Sequence, residues 1–346
     1  MKMKNYLLAI AALVMSLSAS AQDNNTFADK NLSLSGYLQG GFQTSSNDPS
    51  STFYLKRARV SLTGKDEEQA IDYRLQVDMA DTPKICDLYF RYKPSSALGV
   101  QLGQFKIPFA IENDLYGPTT VELIDYTYIT TLFARNNGKY DGIAATGRDI
   151  GAQLYGGFGA QNGYNTLSYN LGIFNGTGIN KKDNNNAKDI VARLIFKPSK
   201  ELSVSASWMS AETTHNNGNG VIRSTRWAVG AIYDTQSFIL RSEYAAAEFN
   251  DDEIGAFYVM GGYKIKKDWM LVARYETLNE DREFGVDPNA NRLTFGAVFR
   301  PNKYLRFQLN YAHESLVTSN TSIESTPNSN VRSNTGGLNL MVTAIF

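Results

Sequence analysis

Leu338-Asn339-Leu340-Met341-Val342-Thr343-Ala344-Ile345-Phe346 ends the sequence with Leu338, Leu340, Val342, Ala344 and Phe346 on alternate residues, and with Asn339 and Thr343 on the other phase. A period of two puts the first set on one face of a β-strand and the second on the opposite face. One face of this strand therefore meets an apolar medium. At the other end of the chain, Lys2 and Lys4 precede an apolar run from Leu7 to Leu17 and then Ala19-Ser20-Ala21. That order predicts a secretory signal over residues 1–21, cleaved before Gln22, and a single mature domain over 22–346.

An exported chain that closes on such a strand points to a barrel in the outer membrane of a Gram-negative bacterium. Past the signal, no stretch approaches the roughly 18 consecutive apolar residues of a membrane-spanning helix, and mean hydropathy is −0.31. A helical membrane protein is excluded. A closed sheet pairs every backbone polar group with only alternate residues apolar, so a barrel remains allowed. Charge is balanced at 34 basic and 34 acidic residues, and loss of Lys2 and Lys4 leaves 32 against 34, or −2. This balance gives no footprint for a nucleic-acid partner. Cys86 is the single cysteine, so neither an intramolecular disulfide nor a multi-cysteine metal site is expected, and nothing calls for a cofactor.

Alternating segments recur along the mature chain and predict sixteen antiparallel strands, at about 32–43, 53–64, 70–80, 85–93, 98–106, 148–158, 164–174, 188–197, 201–210, 223–234, 236–248, 254–265, 268–278, 291–300, 303–315 and 335–346. Short connections such as Lys197-Pro198-Ser199-Lys200 and Arg300-Pro301-Asn302-Lys303 carry turn residues and read as periplasmic turns. Long polar connections such as 175–187, 211–222, 279–290 and 316–334 read as extracellular loops. A soluble sandwich also alternates. It does not require an aromatic C-terminus, asymmetric loops, and Arg on the opposite phase in strand after strand.

That opposite phase collects Arg57, Arg59, Arg74, Arg91, Arg193, Arg226, Arg241, Arg274, Arg292 and Arg306. At roughly 2–4 kcal/mol per midplane cation, ten of them facing lipid would cost about 20–40 kcal/mol, more than a typical fold's stability. The Arg phase is therefore expected to face a wet lumen, which Lys106 joins as an eleventh pore-lining cation candidate. For any one of these residues the bland reading is pairing with a wall carboxylate. Taken together they favour anions over cations.

The connection from Pro108 to Gly147 spans about forty residues and is rich in aromatics, so it is expected to fold into the lumen as a constriction. Its constriction candidates are Glu112, Asp114, Glu122, Asp125, Arg135 and Asp141; with Lys139 the loop carries 2 minus 5, or −3. An acidic loop opposite a basic wall would set a transverse field. The competing expectation is that the loop plugs against the wall or latches a neighbouring subunit.

Three stretches resemble the family of phosphate-selective porins O and P. They are Phe53-Tyr54-Leu55-Lys56-Arg57-Ala58-Arg59-Val60 with Gly64; Asp87-Leu88-Tyr89-Phe90-Arg91-Tyr92 followed by Leu102-Gly103-Gln104-Phe105-Lys106-Ile107-Pro108-Phe109 and Glu112; and Arg148-Asp149-Ile150-Gly151 with Phe174-Asn175-Gly176, Asp189, Ala192, Arg193 and Pro198. The resemblance implies a sixteen-stranded outer-membrane barrel, usually trimeric, with loops that narrow the channel. For the family's namesake members it implies phosphate or polyphosphate uptake along an arginine ladder and a lysine cluster. Arg57, Arg59, Lys106 and Arg193 fall in family-like stretches, whereas the fifth extracellular loop, 211–222, holds His215 and no Lys.

The expected function is therefore passive diffusion of small hydrophilic solutes through an outer-membrane porin with a modest anion preference. Its expected partners are outer-membrane lipid, two further copies of the chain, and the barrel-assembly machinery acting on the strand that ends at Phe346. The competing class is a surface receptor or adhesin whose loops bind a ligand. A hydrolase is disfavoured: His215 sits in an Asn- and Gly-rich loop, and His313, Glu314 and Ser315 alternate faces on one strand.

Overall fold

The computed structural model describes residues 31–46, 51–135, 146–214, 221–250, 252–281, 286–320 and 331–346. The expected signal, His215, Lys139 and Asp141 lie outside them. Among the described residues sixteen strands follow one another. They are β1 Leu32–Ser45, β2 Thr52–Asp66, β3 Ile71–Asp78, β4 Lys84–Tyr92, β5 Gly99–Lys106, β6 Arg148–Gln161, β7 Tyr164–Phe174 and β8 Asp189–Phe196. The second half is β9 Leu202–Thr214, β10 Val221–Asp234, β11 Phe238–Phe249, β12 Asp252–Lys266, β13 Trp269–Asp281, β14 Val286–Phe299, β15 Leu305–Asn320 and β16 Val331–Ile345.

Each strand pairs antiparallel with its sequence neighbours, and β1 pairs with β16 from Tyr37 opposite Ile345 to Ser45 opposite Gly337, which closes the barrel. Gly36 N donates to Phe346 O at 2.8 Å and Phe346 N returns a bond to Gly36 O at 3.0 Å. A Cβ on Gly36 would stand 2.4 Å from the Phe346 ring, so the seam is tight enough to require glycine.

The outward phase is the one read from the last strand. Leu305, Phe307, Leu309 and Tyr311 are exposed to the bilayer side, while Arg306, Gln308 and Asn310 are buried inside. Trp208, Trp227 and Trp269 all face outward. Trp269 stacks on Phe299 at 4.4 Å, and Phe299 on Phe307 at 6.1 Å. This belt of outward aromatics is the arrangement expected at a lipid interface.

Two details differ from the sequence reading. Strands on the long-loop side run further, β9 to Thr214, β14 from Val286, β15 to Asn320 and β16 from Val331. Above the lipid both faces of a hairpin meet water, so the ladder continues after the apolar alternation has stopped. The alternation of loop length also breaks down in places: β3 and β4 are joined by residues 79–83 alone, β13 and β14 by 282–285, and β11 turns into β12 after Asn250, whose φ is 53°.

Inside, the chain after β5 forms a short helix α1, Ile111–Asp114, and a π-helical turn, Ile129–Ala134. Their apolar side chains, among them Phe109, Leu123, Ile129 and Phe133, pack on Met209, Ala228, Ala245, Ala247, Ala256, Tyr258 and Met260 of the inner wall. The hydrophobic core thus lies between this third loop and one half of the barrel. On β9 to β12 the inward phase is therefore not polar throughout, because the wall must receive an apolar loop; its small residues make the room.

Candidate permeation site

The third loop has little regular structure, so its buried backbone groups need partners from elsewhere. The wall supplies them. Arg226 Nη1 donates to Phe133 O at 2.7 Å, Arg292 Nη2 to Tyr126 O at 2.8 Å, and Gln308 Nε2 to Glu122 O at 2.8 Å, while Arg306 donates to Val121 O. In the reverse sense, Ile111 N donates to Glu243 at 2.9 Å and Tyr128 N to Glu276 at 2.9 Å. Arg241 bridges Glu112 and Glu122 of the loop at 2.8 Å each, with both Arg241 and Glu112 fully buried. Arg274 pairs with Glu276 at 3.0 Å, and Arg292 meets the same carboxylate at 2.6 Å. The charges of β10 to β15 therefore hold the loop in place.

The other half of the lumen stays open. A cavity of about 410 Å³ lies between β1 to β7 and the loop tip, lined by Arg59, Arg74, Arg91, Lys106 and Arg148 against Asp87 and Asp114, with Tyr37, Tyr89, Tyr155, Gln76, Gln101, Gln153 and Asn170 between them. Five cations minus two carboxylates leaves +3 on the lining. Part of this is compensated from behind: Arg59 pairs with Asp78 at 2.7 Å, Arg91 with Asp72 at 2.6 Å, and Asp87 receives Arg148 at 2.6 Å and Arg74 at 3.5 Å. Counting Asp72 and Asp78 still leaves five against four. Lys106 donates to Tyr116 O at 3.1 Å and has no ion-pair partner among the described residues.

Arg57 stands beside this cavity, donating to Gln39 Oε1 at 2.8 Å, with its guanidinium 5.9 Å from the Tyr126 ring. Arg135 covers that ring at 3.7 Å. Burial alone would raise the Tyr126 phenol, but the Arg135 and Arg57 cations outweigh it and hold the group below its ordinary value.

The eleven cations expected on the pore thus divide. Arg59, Arg74, Arg91 and Lys106 line the open cavity, with Arg57 at its edge. Arg193 reaches it through an ion pair with Asp114 of the loop. Arg226, Arg241, Arg274 and Arg306 are each no more than 1% exposed beneath the loop, and Arg292 is held there by Glu276. The loop candidates divide likewise, since Glu112 and Glu122 face the wall while Asp125 meets Lys56 at 3.6 Å. The transverse field expected from the loop is accordingly weaker than its net charge implies.

Two cations were missed. β2 bulges where Arg57 faces Gln39 and Leu55 faces Gly40, leaving Lys56 unopposed. The bulge turns Lys56 inward, where its ammonium donates to Ile124 O at 2.8 Å. Arg148 opens β6 directly after Gly147, whose φ is 65°, so strict alternation does not yet govern its direction. Lys56 is signalled in the sequence only by its neighbour Arg57, while Arg148 lies opposite Lys106 across β5 and β6, a pairing that no local spacing shows.

A closed sixteen-stranded barrel with a long loop folded inside and a charged cavity beside it defines an outer-membrane porin. The chain belongs to the family of phosphate-selective porins O and P, whose model matches residues 35–336. No curated protein matches the sequence. Among solved structures, the barrel is similar to an anion-selective porin from Comamonas acidovorans, at 14% identity and a TM-score of 0.69 over 91% of this chain and 99% of that one. It is similar to Salmonella typhi OmpF, at 16% identity and a TM-score of 0.67 over 92% and 98%. It also resembles the trimer form of OmpT from Vibrio cholerae, at 14% identity and a TM-score of 0.63 over 91% and 99%. Such identities compare folds only.

Proposed function

We propose that this porin passes small hydrophilic anions by passive diffusion through the open half of its lumen. The observation that carries this reading is the lining of the 410 Å³ cavity, five cations against two carboxylates, with Lys106 in no ion pair among the described residues. Fixed charge of one sign in a narrow aqueous path concentrates counter-ions and repels co-ions. The family's description supports phosphate among the permeant anions, and the Comamonas acidovorans relative is itself described as anion-selective. The test is chloride current through single channels in planar bilayers, measured while inorganic phosphate is added at constant ionic strength. Phosphate that competes for the cavity lowers the chloride current; a current unchanged by phosphate removes it from the list of bound solutes.

The same reading takes the assembly to be a trimer. β3, β4 and β5 have 8, 9 and 8 residues. At ~3.3 Å per residue and a tilt near 45°, eight residues rise about 19 Å, short of the roughly 25 Å apolar band of a barrel in lipid. That sector fits a wall covered by neighbouring copies better than one facing lipid. Export through residues 1–21 and insertion by the barrel-assembly machinery belong to this proposal, as does the absence of catalysis: His313 lies on β15 between residues of alternating direction.

A further inference from the structure

The loop tip at residues 116–120 separates two cavities. Asp114, Gly117, Pro118 and Thr119 face the open one described above, whereas Tyr116, Thr120 and Glu122 face a second, of about 660 Å³, among the short turns after β10, β12 and β14. Its lining includes Lys266, Lys267, Arg300 and Arg306.

Arg306 is the unusual member. It is 1% exposed and donates once, from Nη2 to Val121 O; its Nε and Nη1 have no hydrogen-bond partner. Three carboxylates line the cavity, Glu122, Asp234 and Asp268, and none forms an ion pair with Arg306 among the described residues. Glu122 is held by Arg241 at 2.8 Å and Asp234 by Lys264 at 2.5 Å. Arg300 stands close enough to repel Arg306, and makes only two long bonds, 3.4 Å each, to Thr119 O and Thr120 O. A buried guanidinium with orphaned donors and a like-charged neighbour is expensive unless something negative completes it. Arg241 and Arg274 also keep unpartnered nitrogens, but each pairs with a glutamate, which Arg306 does not.

We propose that this second cavity is an anion-binding site for one small oxyanion of the phosphate or sulfate class, held by Arg306 with Arg300 at its side. Four acceptor oxygens on a small anion supply both orphaned donors of Arg306 and separate its charge from that of Arg300. The site lies across the loop tip from the cavity lined by Arg59, Arg91 and Lys106.

Wild-type crystals soaked in sodium bromide test it by anomalous diffraction at the bromine edge. The expected result is a peak within hydrogen-bonding distance of Arg306, replaced by tetrahedral density when inorganic phosphate follows the bromide, and lost in Arg306→Gln crystals. A peak confined to the first cavity, or none, overturns the proposal, as does a peak that survives in Arg306→Gln. If Arg306→Gln does not assemble a barrel, Arg300→Gln takes its place and is expected to lower the bromide occupancy at least twofold; unchanged occupancy contradicts the shared site. Anion-selective current without bromide at Arg306 would sink this inference alone. Bromide at Arg306 in a cation-selective channel would sink only the permeation reading.

Discussion

Arg241 and Arg91 both point inward from the barrel wall, yet their surroundings make them different residues. Arg241 is sealed between wall and loop and neutralises two glutamates at once. Arg241→Met leaves Glu112 and Glu122 short of their charge partner in a buried site, which is expected to cost about 3–5 kcal/mol, read from urea unfolding of the barrel in lipid vesicles. Arg91 keeps 36% of its side chain exposed beside Asp72. Arg91→Gln is expected to change stability by less than ~1 kcal/mol in the same measurement, while its bilayer reversal potential moves toward cations. Equal destabilisation by the two substitutions would contradict the division of labour between the halves. Tyr126 adds a pH dependence. Its phenol is held low by Arg135 and Arg57 against the opposing effect of burial, so it ionises before an ordinary tyrosine as pH rises. The new negative charge beside Arg57 lowers anion preference in the alkaline range below about pH 10. Reversal potentials measured across that range are expected to drift in the wild type and to stay flatter in Tyr126→Phe.

The third loop is the element on which the lumen turns, and its base is stapled. Ile107 N donates to Gly147 O at 3.0 Å, and Asn113 Nδ2 donates to Ile107 O at 2.9 Å and to Gly147 O at 3.1 Å. Gly147 has φ 65°, and a Cβ there would lie 2.0 Å from Asn113 Oδ1. Gly147→Val is therefore expected to unseat the loop base without opening the barrel. Protease cleavage between β5 and β6 should appear, single-channel conductance should rise, and the folded barrel should still migrate as a compact species in unheated gels. Unchanged conductance would show that the staple does not set the constriction. The strands themselves were legible in the sequence because each meets lipid on one side; β7, at Tyr164–Phe174, falls where its alternation placed it. What the alternation could not show is which inward residues the loop covers. Arg241 meets Glu122 across 119 positions of sequence and Arg306 meets Val121 across 185, and no local period encodes contacts of that range. Lys56 escaped for a different reason, since a bulge shifts the period by one residue and leaves the same letters on the other face.

At the scale of the whole molecule, the barrel has a filled half and an open half, and fixed charge serves a different end in each. The filled half uses its arginines on the loop's carbonyls and glutamates; the open half lines its cavity with Arg59, Arg74, Arg91, Lys106 and Arg148 and with fewer carboxylates than cations. The proposed trimer is tested by native mass spectrometry in detergent, which is expected to give three times the mass of the mature chain, with monomer alone as the contrary result. The central claim is the sign of the field in the open half. Its most direct measurement is the zero-current potential of the reconstituted channel across a potassium chloride gradient. A potential displaced toward the chloride equilibrium value, and moved back toward zero in an Arg91→Gln, Lys106→Gln double variant, is what the lining requires. A wild-type potential displaced toward the potassium value would contradict it.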